Sequence, residues 1–165
     1  MVSLTGAFAG VRAKGSEGEH VKRLAAFVAL VSAALVQAPV AQAQMFPGNY
    51  ELQIQGRYDF HTWLWNVYPC GTSGCYWVNA IPRPIAKAFS YRGQAQLAEG
   101  RYTLIVDDPF GLRCGDVYYG PTIPTHDVYS WDPASLAGTL ESSFDTGCDG
   151  TPGGTNTYPF TLVKY

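Results

Sequence analysis

The segment "YPCGTSGCYW", residues 68–77, places two cysteines five positions apart around a Gly-Thr-Ser-Gly turn signal. The residues on both sides are rich in aromatic and β-branched types, which favour strands. The segment therefore predicts a β-hairpin in which Cys70 faces Cys75 closely enough to form a disulfide. A zinc site or a redox site would favour Cys-x-x-Cys spacing, which this segment lacks.

This pairing also predicts the register of the hairpin, because the numbers of opposed residues must sum to 145, as 70 and 75 do. One face then carries only apolar side chains, and we expect it to face the core. Its opposed pairs are Val67 and Val78, Trp65 and Ala80, and Trp63 and Pro82. The other face carries Tyr68 opposite Trp77 and two opposed asparagines, so we expect it to be partly hydrated.

The N-terminal region has the features of a secretory signal peptide. Lys22 and Arg23 precede "LAAFVALVSAALV", an uncharged run of 13 residues, and Ala41-Gln42-Ala43 fits the small-x-small cleavage rule. The run is too short to span a membrane. We therefore expect residues 1–43 to be a helical signal peptide cleaved after Ala43. Residues 1–20 are unusually long for its charged region, and one hypothesis is that they are an over-extension, with translation starting at Val21.

All four cysteines lie in the predicted exported part, residues 44–165. An even number of cysteines in a small secreted domain indicates disulfides. With Cys70 and Cys75 paired by the hairpin, the remaining pair is Cys114 and Cys148. That second bridge closes a loop of about 35 residues and would contribute roughly 3 to 4 kcal/mol in the chain-entropy model.

The exported part has 122 residues (165 − 43), enough for a single domain with its own core. It carries 7 Lys and Arg against 11 Asp and Glu, a formal charge of −4. An acidic domain without a basic patch argues against nucleic acid as a partner and against anionic lipids. No second long apolar run follows the leader, so no membrane span is expected in the mature protein.

Short segments with strand patterns recur along the exported part, separated by turn signals. We count about eight and predict an all-β domain, an antiparallel barrel or sandwich stapled by disulfides. Residues 135–144 are interpreted as a strand rather than a helix, because Gly138 and Thr139 lie in their middle. Residues 109–125 and 147–156 are interpreted as loops. A strand is predicted over residues 86–97, with a bulge or bend at Gly93.

Several motifs together resemble a group of small exported proteins of mycobacteria. They are "GNYELQ", "YPCGTSGC", the later Cys-Gly, "YSWDPASLAGTLESSFDTGC" and the terminal "FTLVKY". The resemblance covers nearly the whole exported part, and the Tyr-Ser-Trp-Asp-Pro segment from Tyr129 is among its most specific motifs. It implies export and paired cysteines. It implies no activity, cofactor or catalytic residue.

The candidate ligand-binding residues form two groups. On a strand, Asp59, His61 and Trp63 point the same way, which places an acid and an imidazole beside an aromatic floor. This arrangement predicts either polar contacts that hold a ligand or an acid–base pair. The simpler alternative is an exposed histidine at a strand end with no activity. Tyr68 and Trp77, on the wetter hairpin face, are the second candidate group, for a sugar-stacking surface.

The sequence contains no Gly-x-Ser-x-Gly motif, no phosphate-binding glycine loop and no calcium or zinc ligand pattern. We therefore predict no catalytic residue, no metal and no cofactor. Asp107 and Asp108 are interpreted as a solvated turn. The function favoured is a secreted, non-catalytic domain that binds a small apolar ligand or an envelope glycan. The alternatives are an envelope protein-interaction module and a hydrolase using Asp59, His61, His126 or Asp127.

Overall fold

The computed structural model describes residues 45–59, 61–85, 88–115, 117 and 119–165. The predicted leader, residues 1–43, lies outside the described residues. The described chain forms eight antiparallel strands in sequence order, closed into a barrel by the pairing of the first strand with the last. The strands are β1 (Gly48–Ile54), β2 (Thr62–Pro69), β3 (Cys75–Arg83), β4 (Tyr91–Ala98), β5 (Arg101–Arg113), β6 (Thr122–Trp131), β7 (Ala137–Thr146) and β8 (Pro152–Lys164).

The prediction of an all-β fold of about eight strands is confirmed, and the fold is a barrel rather than a sandwich. The segment interpreted as strand rather than helix forms β7. Within the described part of the chain, no helix is both long enough and apolar enough to span a bilayer.

The β2–β3 hairpin has the register that its cysteines predicted. Trp65 pairs with Ala80 and Tyr68 with Trp77, and every pair of this ladder sums to 145. The Cys70–Cys75 disulfide joins Cα atoms 5.4 Å apart at the turn. The predicted core face is buried, since Trp65 is 0% exposed and the other members of that face are also buried.

Aromatic rings fill the barrel interior around Trp65. Its indole lies 5.3 Å from the ring of Tyr129, 5.6 Å from that of Trp131 and 6.3 Å from that of Phe160, measured between centroids. The indole Nε1 donates a hydrogen bond to the Tyr91 hydroxyl over 3.0 Å, so its polar atom is satisfied inside the core. An eight-stranded barrel is just wide enough for side chains to fill, and here they do.

The two predicted loops are shorter than expected because strands run into them. β5 continues through Pro109 to Arg113, and its register against β6 shifts between Asp108 and Leu112. Proline is tolerated there because residues 109–111 have no ladder partner on β6. The loop predicted over residues 147–156 also ends early, since β8 begins at Pro152.

Two glycines allow close packing within strands. A Cβ on Gly153 would lie 2.4 Å from the carbonyl oxygens of Phe144 and Asp145, so this glycine lets β8 lie close against the backbone of its antiparallel neighbour β7. Gly93 was predicted to form a bulge or a bend, and no bulge interrupts the β3–β4 ladder there, because this residue pairs with Val78 in regular register. A Cβ there would lie 2.5 Å from the Leu104 side chain, which packs over the glycine. The strand predicted from residue 86 begins at Tyr91.

The two ends of the barrel differ. One end, here called the turn end, has the connections 70–74, 99–100 and 132–136. The opposite end, here called the loop end, has the connections 55–61, 84–90, 114–121 and 147–151. Met45 is buried at the turn end, where its carbonyl accepts a hydrogen bond from the Tyr76 hydroxyl over 2.6 Å. The predicted Cys114–Cys148 disulfide is present and joins two connections of the loop end.

We expect Trp65→Ala to lower the free energy of unfolding by about 3 to 5 kcal/mol, because it empties the centre of the packed interior. Denaturant unfolding with both disulfides intact measures this. Trp77→Ala is the matched control. Trp77 lies on the outer face under the Arg92 guanidinium, so its loss should cost about 1 kcal/mol or less. Equal effects of the two substitutions would contradict the packing described here.

Candidate functional site

A recess of about 170 Å³ opens at the loop end, between β1 and the connection that leads into β2. Glu51 and Gln53 line it from β1, and Asp59, His61 and Trp63 line it from the connection and the start of β2. The structure therefore brings the first predicted group of ligand-binding residues together at one recess. Whether they bind a ligand stays a prediction.

Asp59 organises this group. Its Oδ1 accepts a hydrogen bond from the backbone N–H of His61 over 3.0 Å and lies 2.6 Å from the imidazole Nδ1. Its Oδ2 accepts a hydrogen bond from the Trp63 indole N–H over 2.8 Å. An ionised carboxylate only accepts, so the Nδ1 of His61 carries a proton that it donates to Asp59. One carboxylate thus fixes both the imidazole and the indole.

The simpler interpretation of His61, an exposed residue at a strand end, is wrong. The imidazole is fully buried, and the Asp59 side chain is 14% exposed. Strand alternation predicts the direction of His61 correctly. It does not show that the 55–61 connection also carries Arg57 inward at the mouth of the barrel.

Arg57 lies deeper in the same end of the barrel, and no sequence pattern identified it as a site residue. Its Nη1 lies 3.3 Å from Asp127 Oδ2, and its Nη2 donates to the Gly111 carbonyl over 2.6 Å. Its Nη2 also lies 3.6 Å from Asp108 Oδ2. The guanidinium thereby ties the 55–61 connection to β5 and β6.

The two acidic partners of Arg57 are both buried, and Asp108 corrects a sequence interpretation. Asp108 is not in a solvated turn but is buried, because β5 continues past it and turns it inward. Asp127 does not pair with its neighbour His126, since adjacent strand residues face opposite sides. It is fully buried and accepts a hydrogen bond from the Ser142 hydroxyl over 2.6 Å. Asp127 lies two residues before the inward-facing Tyr129 on the same strand, so strand alternation could have shown that its side chain faces inward.

His126 belongs to a row on the outer surface of the barrel. Its Nδ1 lies 2.7 Å from Asp107 Oδ1, and Ser143 is its cross-strand partner on β7. The Ser143 hydroxyl donates to the backbone carbonyl of His126 over 3.2 Å. A serine nucleophile needs that bond to run to the imidazole, so the row as it stands does not activate Ser143.

The second predicted group, Tyr68 and Trp77, lies on the outer wall and not at the recess. The two are cross-strand partners in the β2–β3 hairpin. The Arg92 guanidinium carbon lies 4.1 Å from the centroid of the Trp77 ring and 5.6 Å from that of Tyr68. The cation therefore covers ring surface that the predicted sugar-stacking site would need.

The charge around the recess is mainly negative. Glu51 and Asp59 line it, while the positive charge of Arg57 is directed to the buried carboxylates of Asp108 and Asp127. Carboxylates accept hydrogen bonds, so this lining is suited to a ligand rich in hydroxyl or amine donors. Among the described residues, no group of three or more His, Cys, Asp or Glu side chains is placed to hold a metal ion.

Comparison of the chain with protein-family models, with curated proteins and with solved structures found no match.

We expect His61→Ala to lower the free energy of unfolding by about 1 to 3 kcal/mol, because it removes the buried partner of Asp59. His126→Ala is the matched control. Its imidazole is 52% exposed, so its removal should change stability by less than about 0.5 kcal/mol. Thermal or denaturant unfolding of both variants measures the difference. A silent His61→Ala would show that the imidazole contributes nothing to the loop end.

Burial raises the pKa of the Asp108 carboxyl above its ordinary value of 3.8, and the Phe110 N–H and Arg57 offset this only in part. Between 3.8 and the raised pKa, the folded state holds a proton that the unfolded state has lost. Stability therefore falls as the pH rises through this window. We expect Asp108→Asn to remove this fall. The drop in the unfolding midpoint between pH 4 and pH 7 should then be smaller in the variant than in the wild type. An unchanged pH profile of the unfolding midpoint would contradict this.

Proposed function

We propose that this chain is an exported, non-catalytic barrel that binds a single sugar unit of an envelope glycan in the recess beside Asp59. The observation that carries the proposal is the lining itself. Asp59, whose carboxylate holds the His61 imidazole and the Trp63 indole, lies at a recess that Glu51 and Gln53 also line. Sugars offer hydroxyl donors to such carboxylates and C–H faces to such rings.

The size of the recess favours a small polar ligand. Pockets that enclose drug-sized ligands are roughly 300 to 1,000 Å³, whereas this recess is about 170 Å³. A small apolar ligand, the other candidate from the sequence, finds less support. It would need space inside the barrel that the rings around Trp65 occupy.

Export is supported by three features. The chain carries an apolar leader-like run after Lys22 and Arg23, it resembles exported mycobacterial proteins, and its cysteines form two disulfides. Disulfides persist in oxidising compartments outside the cytoplasm. The proposed location is the cell envelope or the medium, with the mature chain beginning at Gln44.

Two other functions find less support. A hydrolase would use His61 or His126. However, the Ser143 hydroxyl beside His126 donates to a backbone carbonyl. Asp127 forms a buried ion pair with Arg57. An envelope protein-interaction module is compatible with the barrel. The exposed loop end is the surface that such a module would use.

Titration of the barrel with neutral and amino sugars, followed by NMR, tests the proposal. We expect shifts at recess residues and a three- to ten-fold weaker affinity for Glu51→Gln, which removes a charged acceptor at a partly exposed site. Glu51 accepts hydrogen bonds from Gln53 and from the Tyr165 hydroxyl, and glutamine keeps its size.

Glu141→Gln is the matched control, because Glu141 is an exposed glutamate on β7, away from the recess. It should bind as the wild type does. The absence of recess shifts with every sugar, or an equal loss of affinity in Glu141→Gln, would refute the proposal.

A further inference from the structure

The charged residues of the exported part are distributed unevenly along the chain. Residues 60–98 carry Arg83, Lys87 and Arg92 but no Asp or Glu, which is a formal charge of +3. Residues 99–165 carry three basic and nine acidic residues, a formal charge of −6 (3 − 9). Strands β2, β3 and β4 lie within the first range and are neighbours in the sheet. One side of an acidic barrel is therefore built from strands that have no acidic side chain.

The outward-facing residues around Arg92 on these three strands combine amides, two aromatic rings and one guanidinium. They alternate along each strand with residues that are buried in the core. We call this surface the Arg92 wall, and its members are Asn66, Tyr68, Trp77, Asn79, Arg92 and Gln94. The wall lies on the outside of the barrel and is separate from the recess beside Asp59.

The Arg92 guanidinium lies over both rings and has no anionic partner. Its carbon is 4.1 Å from the centroid of the Trp77 ring and 5.6 Å from that of Tyr68. A guanidinium contacts a ring through its face, which leaves the N–H donors at its edge available. In the described part of the chain, the Arg92 side chain forms no hydrogen bond and no ion pair. The contact that hides the rings from a sugar therefore presents a pre-positioned donor to an anion.

The acidic residues that border the wall do not neutralise Arg92. Glu51 lies on β1, Glu99 in the turn between β4 and β5, and Asp107 on β5. Glu51 accepts hydrogen bonds from two other side chains, and Asp107 lies 2.7 Å from the His126 imidazole. None of the three forms an ion pair with Arg92. Their charge weakens the attraction of the wall for a distant anion, so binding depends on direct contact with the guanidinium.

A row of amide side chains crosses the sheet and ends at Arg92. Asn49 on β1 is opposite Asn66, and Asn66 is opposite Asn79. Asn79 is in turn opposite Arg92 on β4. Neighbouring strands are about 4.8 Å apart, so the row offers one polar group per strand at that interval. Because an amide both donates and accepts hydrogen bonds, the row is suited to the hydroxyls of successive sugar units.

We propose that the Arg92 wall binds a polysaccharide that carries carboxylate groups, such as a chain of uronic acids. The carboxylate of one unit contacts the N–H edge of Arg92, since a planar carboxylate matches the paired donors of a guanidinium. Hydroxyls of the adjoining units contact the amide row. Nucleic acid fits less well, because the exported part has a formal charge of −4 (7 − 11) and few basic residues with which to bind successive phosphates. The proposal does not require a sugar in the recess.

Calorimetric titration of the protein, with both disulfides formed, against a galacturonic acid oligomer and its methyl ester tests the proposal. The two ligands have the same rings and hydroxyls, but the ester carries no negative charge. We expect the acid to bind about ten-fold or more tightly than the ester, and added salt to weaken this binding. Arg92→Gln should lower the affinity for the acid by about ten-fold or more, because it removes a charged pair of donors.

Arg101→Gln is the matched control, because Arg101 is an exposed arginine on β5 that donates to the Ser130 hydroxyl. It should bind the acid as the wild type does, and circular dichroism confirms that both variants are folded. In NMR spectra, the acid should shift amide signals around Arg92 and Asn79. Four results would overturn the proposal: no binding of the acid, equal binding of the ester, an equal loss in Arg101→Gln, or shifts confined to the recess.

Discussion

The ion pair between Arg57 and Asp127 joins the β1–β2 connection to β6, a strand that is not adjacent to either β1 or β2 in the sheet. Burying two charges costs several kcal/mol each, and the pair is retained only when both partners are present and hydrogen-bonded. Here Ser142 and the Gly111 carbonyl supply the additional bonds. This contact holds the connection inward, and the placement of Asp59, His61 and the recess depends on it.

Much of the fold follows from local patterns. The cysteines at 70 and 75 set the register of the β2–β3 hairpin, and alternation along β2 then identified Trp63 and Trp65 as core. The prediction failed where a strand ran through residues that normally end one. Pro109 and the glycines after Pro152 look like loop residues, yet an irregular β5–β6 ladder and a close approach of β8 to β7 accommodate them.

Only part of the candidate site could be predicted from the sequence, because local patterns do not show contacts between distant residues. Asp59, His61 and Trp63 lie within five residues of one another, so strand parity brought them together. Arg57 meets Gly111 across 54 residues and Asp127 across 70, and those contacts exist only after the sheet has closed.

The pairing of β1 with β8 determines when the barrel can close as the chain is synthesised. Leu52 lies opposite Leu162, so the first strand of the barrel lacks one neighbour until the last strand has been synthesised. Until then the growing chain is an open sheet with an unpaired edge, a form prone to pairing with other chains. Closure of the barrel must therefore wait until the 13-residue strand β8 has been synthesised. Such closure between distant strands is intrinsically slow, so a growing chain would need protection from its neighbours until β8 has paired with β1.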